Sequence, residues 1–129
     1  SPESKVVSCD LNTLAKDATE NMDKFEKLKT EIDSFNKERD WDKFHTPGNL
    51  AKSISIEAGE LLECFQWNEK DFDLDSVKEE LADVLLYSLQ MAQSLNLDPI
   101  EICEEKMVKN GKKYPVDKSK GNAIKYTKF

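Results

Sequence analysis

Two pairs of acidic residues, each set in a run of apolar side chains, constrain this chain more than any other feature of it. Glu57 and Glu60 lie in Ile56-Glu57-Ala58-Gly59-Glu60-Leu61-Leu62, and Glu80 and Asp83 in Glu79-Glu80-Leu81-Ala82-Asp83-Val84-Leu85-Leu86. Within each pair the acids stand three residues apart, so on a helix they share a face one turn apart. Their apolar neighbours turn that face toward another helix rather than toward open water. Two such helices laid antiparallel bring four carboxylates together. Like charges at that range repel, and taking them out of water without a partner disfavours the ionised form. A hard divalent cation held through oxygen removes both penalties, and Mg²⁺ is the usual ion where substrate phosphates are held as well. The competing account is four ordinary solvated carboxylates on amphipathic helices, and a lone ExxE motif does not separate the two. Repetition on consecutive helices gives the metal account its weight.

The rest of the sequence suits helices. Its 129 residues include only four glycines and four prolines, 35% are charged, and no convincing apolar–polar alternation reads as a strand. The expected fold class is therefore all-α, in one domain spanning 1–129. No apolar run approaches membrane-spanning length and no signal-peptide pattern opens the sequence, so no membrane partner is expected. Cys9, Cys64 and Cys103 are odd in number and far apart. They read as reduced thiols of a cytoplasmic protein, with nuclear or organellar placement left open.

Residues 1–10 look irregular. From Leu11 to about Arg39, Leu11, Leu14, Ala15, Ala18, Met22, Phe25, Leu28, Ile32 and Phe35 recur at helical spacing, as one long helix or two shorter ones. Thr46-Pro47 then pairs an N-cap with an N1 proline, predicting a second helix to about Phe65. Gly59 inside it costs roughly 1 kcal/mol relative to alanine, which a close backbone approach beside Glu57 and Glu60 would justify, with loose packing as the alternative. Residues 66–74 make an acidic connection carrying Trp67, a side chain that should pack on something, as should Trp41. Leu74, Asp75 and Glu79 predict the start of a third helix, ending near Ser94. Asp98-Pro99-Ile100-Glu101 combines a cap, an N1 proline and a reciprocal acid at the start of a fourth, which should end at Asn110-Gly111 with glycine in the left-handed position. Residues 112–129 form a basic C-terminal arm.

The net charge of −7 hides an asymmetry. Residues 57–83 carry ten acids against Lys70 and Lys78, whereas residues 106–129 carry eight lysines against Asp117 alone. Such an arm can bind nucleic acid or a membrane surface, or it can fold onto the acidic face and complete a site for a polyanion; composition does not choose.

Assembled, these pieces resemble the all-α nucleoside triphosphate pyrophosphohydrolases, the MazG-like superfamily. Its metal pattern of ExxE, a spacer and ExxD is matched by Glu57 and Glu60, nineteen intervening residues, then Glu80 and Asp83. Glu38-Arg39-Asp40-Trp41, Phe44-His45, Asn49-Leu50, Phe65-Gln66-Trp67, Leu85-Leu86-Tyr87, Lys113-Tyr114-Pro115, Ser119-Lys120-Gly121 and Lys125-Tyr126-Thr127 are similar to the dCTP pyrophosphatase branch. The likeness runs from about Phe35 to Thr127. Ile32, Lys113 and Lys120 depart from relatives that carry histidine at the first position and arginine at the others.

The resemblance implies a four-helix bundle-like subunit assembling as a dimer of dimers, and hydrolysis of dCTP and 5-substituted analogues to the monophosphate and pyrophosphate. Glu57, Glu60, Glu80 and Asp83 would hold Mg²⁺ and serve catalysis. Lys106, Asn110, Lys113, Tyr114, Ser119, Lys120 and Lys125 would bind phosphates. Trp41 and Trp67 would wall the base with His45 nearby, and Tyr87 would meet the deoxyribose. The expected partners are a nucleotide substrate and further copies of the chain in a homotetramer, without nucleic acid. Two other functions fit the same residues: pyrophosphohydrolysis with a different preference, such as dUTP or a broad set, and a non-catalytic helical interaction module with a basic tail.

Overall fold

A computed structural model describes residues 12–13 and 24–121 of the chain. The described residues are helical, without strands, in accord with the all-α expectation. The chain divides between Thr46 and Pro47 into two units. Residues 1–10, the question of one helix or two across 14–23, and Lys125 lie outside the described residues.

In the first unit, α1 is helical over 24–38. Its least exposed positions are Phe25, Lys29, Ile32 and Asn36, spaced by four, three and four residues as one stripe of a helix requires. Leu28 and Phe35, expected on that stripe, are instead exposed. The helix ends in a left-handed residue, Asp40, at φ 54°. The amide of Asp40 donates to the Lys37 carbonyl at 3.1 Å and that of Trp41 to the Asn36 carbonyl at 2.9 Å. These are the two bonds of a Schellman motif, which satisfies carbonyls that a helix end otherwise leaves bare. A short 3-10 turn, Asp42–Phe44, follows.

The second unit begins with α2, Pro47–Glu63, and α3, Leu74–Ser94, which pack on each other along their length. The last turn of α2 tightens through amides of Cys64, Phe65 and Gln66 donating three residues back, so the helix stops short of Phe65. Helix α3 starts earlier than Leu74-Asp75 suggested. Asp73 is its cap, accepting from the Asp75 amide at 3.2 Å and the Ser76 hydroxyl at 2.8 Å, which leaves Leu74 inside the first turn. Between the two helices, the rings of Phe65 and Phe72 meet at 4.9 Å, and Asn68 Oδ1 accepts from the amides of Lys70 and Asp71. Those contacts fix the connection without Trp67, which is 90% exposed among the described residues. Gly59 likewise has no close neighbour: an added Cβ would meet nothing within 4 Å.

Helix α4, Pro99–Lys113, begins as the sequence predicts, with Asp98 Oδ1 accepting from the amides of Ile100 at 2.9 Å and Glu101 at 3.4 Å. It runs past Gly111, which stays helical, and stops at Tyr114, where the following Pro115 disfavours the helical conformation. Lys112 and Lys113 suit that last turn, since cations are favoured at a helix C-terminus. A single turn, α5, Val116–Ser119, closes the described chain. No described helix is long and apolar enough to cross a membrane.

Candidate active site

The seam between α2 and α3 carries the acids. On α2 the less exposed positions include Leu50, Ile54, Glu57 and Leu61, followed by Cys64 just past its end, and on α3 Val77, Glu80, Val84, Tyr87 and Met91. Glu57 and Glu80 therefore occupy positions of the apolar stripes themselves, while Glu79, next to Glu80 in sequence, is exposed. Glu63 and Cys64 line a cleft with Asp73 and Ser76, and Glu60 lines it with Glu80, so the two helices run antiparallel and the acid pairs meet.

One carboxylate oxygen from each of Glu57, Glu60 and Glu80 lies within 4.8 Å of the others. Oε2 of Glu57 and Oε2 of Glu80 are buried with no hydrogen-bond partner. The Glu57 carboxyl is pushed up from its ordinary 4.5 to about 7, foremost by sharing a proton with Glu60, then by burial and by the charges of Glu60, Asp83 and Glu80. Glu80 is raised for the same leading reasons, its contact with Glu60 and its burial, with Asp83 again adding charge. Asp83 thus belongs to the same electrostatic cluster, although it stands outside the tight trio. Buried, unpaired oxygens crowded by like charge are what a hard cation would satisfy, and an all-carboxylate donor set suits a hard divalent ion rather than a softer one.

Beside the trio opens a cleft of about 590 Å³, lined by Glu60, Glu63, Cys64, Asp73, Ser76 and Glu80. Four of these, Glu63, Cys64, Asp73 and Ser76, were not foreseen as site residues. Glu63 and Cys64 follow Glu60 at three and four residues, a spacing that could have found them; Asp73 and Ser76 depend on where α3 begins.

The remaining expected residues are distributed over several elements. In the first unit, Trp41 meets Phe35 edge to face at 5.6 Å and His45 at 6.3 Å, and Nδ1 of His45 is buried without a partner. Tyr87 is half-buried on α3, one turn beyond Asp83. Lys106, Asn110 and Lys113 fall on one face of α4, Tyr114 is its C-cap, and Ser119, with a buried and unpartnered hydroxyl, ends α5 just before Lys120. Packing of α4 on the α2–α3 pair is slight.

Known proteins resemble this chain. The model of the MazG-like family matches residues 52–129, more than half of the chain. The chain belongs to the MazG-like family. Among relatives, the MazG-like chain is 38% identical over 102 residues to dCTP pyrophosphatase 1 of Rattus norvegicus and of Mus musculus, covering 72% of its own length and 60% of theirs. With the human protein of that name it shares 35% over 105 residues, covering 74% and 61%. It thus spans about 60% of the length of these curated relatives. A solved pyrophosphatase from Archaeoglobus fulgidus aligns with a TM-score of 0.64 at 44% identity, over 70% of this chain and 92% of that one.

Proposed function

We propose that this MazG-like chain hydrolyses dCTP to dCMP and pyrophosphate with Mg²⁺ held by Glu57, Glu60, Glu80 and Asp83. The observation that carries the reading is the trio of carboxylates in the seam, with buried oxygens of Glu57 and Glu80 left unpaired. The relatives supply the substrate, since curated relatives at 35–38% identity are named dCTP pyrophosphatase 1.

In the reaction, water adds across the bridge between the α- and β-phosphates, and the two halves leave as the monophosphate and pyrophosphate. Bound Mg²⁺ would neutralise polyphosphate charge and lower the pKa of a bound water. The chain does the rest. Its acids fix where the cation sits, Lys106, Lys113, Lys120 and Lys125 offset the remaining phosphate charge, and Asn110, Tyr114 and Ser119 supply hydrogen bonds. Trp41 and Trp67 stack on the base, the unpaired Nδ1 of His45 reads its edge, and Tyr87 meets the deoxyribose. Stacking tolerates any base, so selectivity falls to edge contacts.

The same proposal includes a single 1–129 domain of bundle type, a cytoplasmic setting and a homotetramer built as a dimer of dimers. Exposed Ile100, Met107 and Val108 on α4, together with Trp67, support association, because a lone small domain leaves them in water. Calorimetry with a non-hydrolysable dCTP analogue tests the function. Binding that requires Mg²⁺ is expected; binding of neither ion nor analogue would leave the interaction-module account standing.

A further inference from the structure

Trp41 is held by a small structure of its own. The Schellman turn at Asp40 aims the chain so that residue 41 returns over residue 35, and the indole meets the Phe35 ring at 5.6 Å with 72° between planes. Apolar contact between these two positions is the usual companion of that motif. Arg39 covers a face of Phe35, its guanidinium carbon 3.6 Å from the ring centroid, while one guanidinium nitrogen donates to the Phe35 carbonyl at 3.0 Å. Lys43 pairs with Asp40 at 2.8 Å and ties the following turn to the left-handed residue. Despite this bracing Trp41 remains 42% exposed. An aromatic ring held by T-shaped contacts with Phe35 and His45, and still partly open to solvent, is prepared to receive a flat ligand without losing further side-chain freedom.

We propose that Phe35, Arg39 and Asp40 are positioning residues that preset the Trp41 indole for stacking on the nucleobase. Each acts at a different level. Asp40 adopts a backbone conformation that glycine and asparagine tolerate and alanine does not. Phe35 supplies the edge-to-face platform, and Arg39 keeps that platform in place through a planar stack that lysine cannot reproduce. None of the three needs to touch substrate. The role rests on the proposed dCTP reading, and the indole itself gives a separate test of the bracing.

The chain has two tryptophans, so in a Trp67→Phe background the near-ultraviolet circular dichroism and acrylamide quenching of tryptophan report Trp41 alone. Phe35→Leu, Arg39→Lys and Asp40→Ala should flatten the dichroism and increase quenching, whereas Asp40→Asn should restore both. Phe35 is 46% exposed, so the leucine variant keeps its fold. With Trp67 intact, the same three variants should raise KM for dCTP roughly two- to tenfold, the range an aromatic pair of this kind supplies. The turnover number should hold within about twofold, since the acid seam is untouched. In a Trp41→Ala background, Phe35→Leu should add nothing further to KM. An equal rise in KM with or without Trp41, or an indole signal unmoved by Phe35→Leu and Asp40→Ala, overturns the proposal. Absence of dCTP turnover in the unmutated protein would instead reject the functional reading, while the indole signal still decides whether Trp41 is braced.

Discussion

Helix α4 and the α2–α3 pair are made by opposite means. Helix α4 has the better local code: an Asp98 cap with two amides on it, a proline at the first position and two lysines in the last turn. Yet it buries no residue and leaves Ile100, Ile102, Met107 and Val108 exposed. Helices α2 and α3 have plainer ends and are held by each other, with Glu57 and Glu80 set among the apolar positions of their seam. Local signals are enough to make a helix, and only packing can hold a carboxylate where its oxygen has no partner. Chemistry is expected in the packed pair; α4 is expected to need a ligand or a second subunit to cover it.

Removing an acid from the seam breaks that contrast most severely. Glu60→Ala and Glu80→Ala should each lower kcat/KM by roughly a thousandfold or more, since several kcal/mol of transition-state stabilisation depends on the bound cation. Alanine is a good helix former, so helical circular dichroism should persist. Near-normal turnover in Glu60→Ala would dismiss the metal assignment.

The next effect concerns Trp67, which belongs to the connection rather than to either helix. If it stacks on the base, Trp67→Ala should cost about 1–3 kcal/mol, or roughly ten- to hundredfold in kcat/KM for pyrimidine triphosphates, with Mg²⁺ affinity barely changed. If it instead anchors another subunit, the variant should lose mass in sedimentation and melt earlier, and its deficit should disappear at high protein concentration. A wild-type species of 14.8 kDa at every concentration would remove the assembly account for both Trp67 and α4.

What the sequence made legible follows the same division. The helices over 47–63, 74–94 and 99–113 were readable from periodicity and from Asp98-Pro99, because those signals act within a turn or two of the backbone. The trio Glu57, Glu60 and Glu80 was readable for the same reason, as helical spacing set both pairs on faces that must meet. Asp73 was misjudged by two residues because any of several acids in that connection can cap a helix. Gly111 was misjudged because a nearby proline stopped the helix before the glycine was needed as a left-handed residue. The exposure of Trp67 was not legible at all, since it depends on Phe65 finding Phe72 instead. The Asp40 turn illustrates the remaining gap: in sequence Glu38-Arg39-Asp40-Trp41 is only a family likeness, and its physical reason lies in the φ angle and the ring contacts.

Smaller effects can sharpen the comparison at the caps. Asp73→Ala and Asp98→Ala each remove a side-chain acceptor, a loss of about 1 kcal/mol of helix stability. In α3 that loss should lower the melting temperature and weaken turnover, because Glu80 stands about two turns along the same helix. In α4 it should emerge mainly as faster amide exchange over residues 99–103, with the melting temperature nearly unchanged, since little else packs on it. Equal shifts in melting temperature would mean that α4 is as integrated as the hairpin.

The gentlest probe changes only protons. In the metal-free protein, Glu57 holds its proton up to about pH 7, against 4.5 for an ordinary glutamate. Between those values the folded chain binds a proton that the unfolded chain has released, so stability falls as pH rises. The favourable contribution is complete below about 4.5 and is lost through about 7; Glu80, raised in the same direction, adds to the slope. Melting temperature without metal should therefore decline from about pH 5 to 7.5. Adding Mg²⁺ should displace the proton, raise the melting temperature most at the alkaline end and flatten the profile. Glu57→Gln, which imitates the protonated side chain, should reduce the metal-free slope and blunt the response to Mg²⁺ together. A metal-free profile already flat across that window would mean that the seam is wetter than its buried oxygens imply, and that α2 and α3 hold their acids no differently from the way α4 holds its lysines.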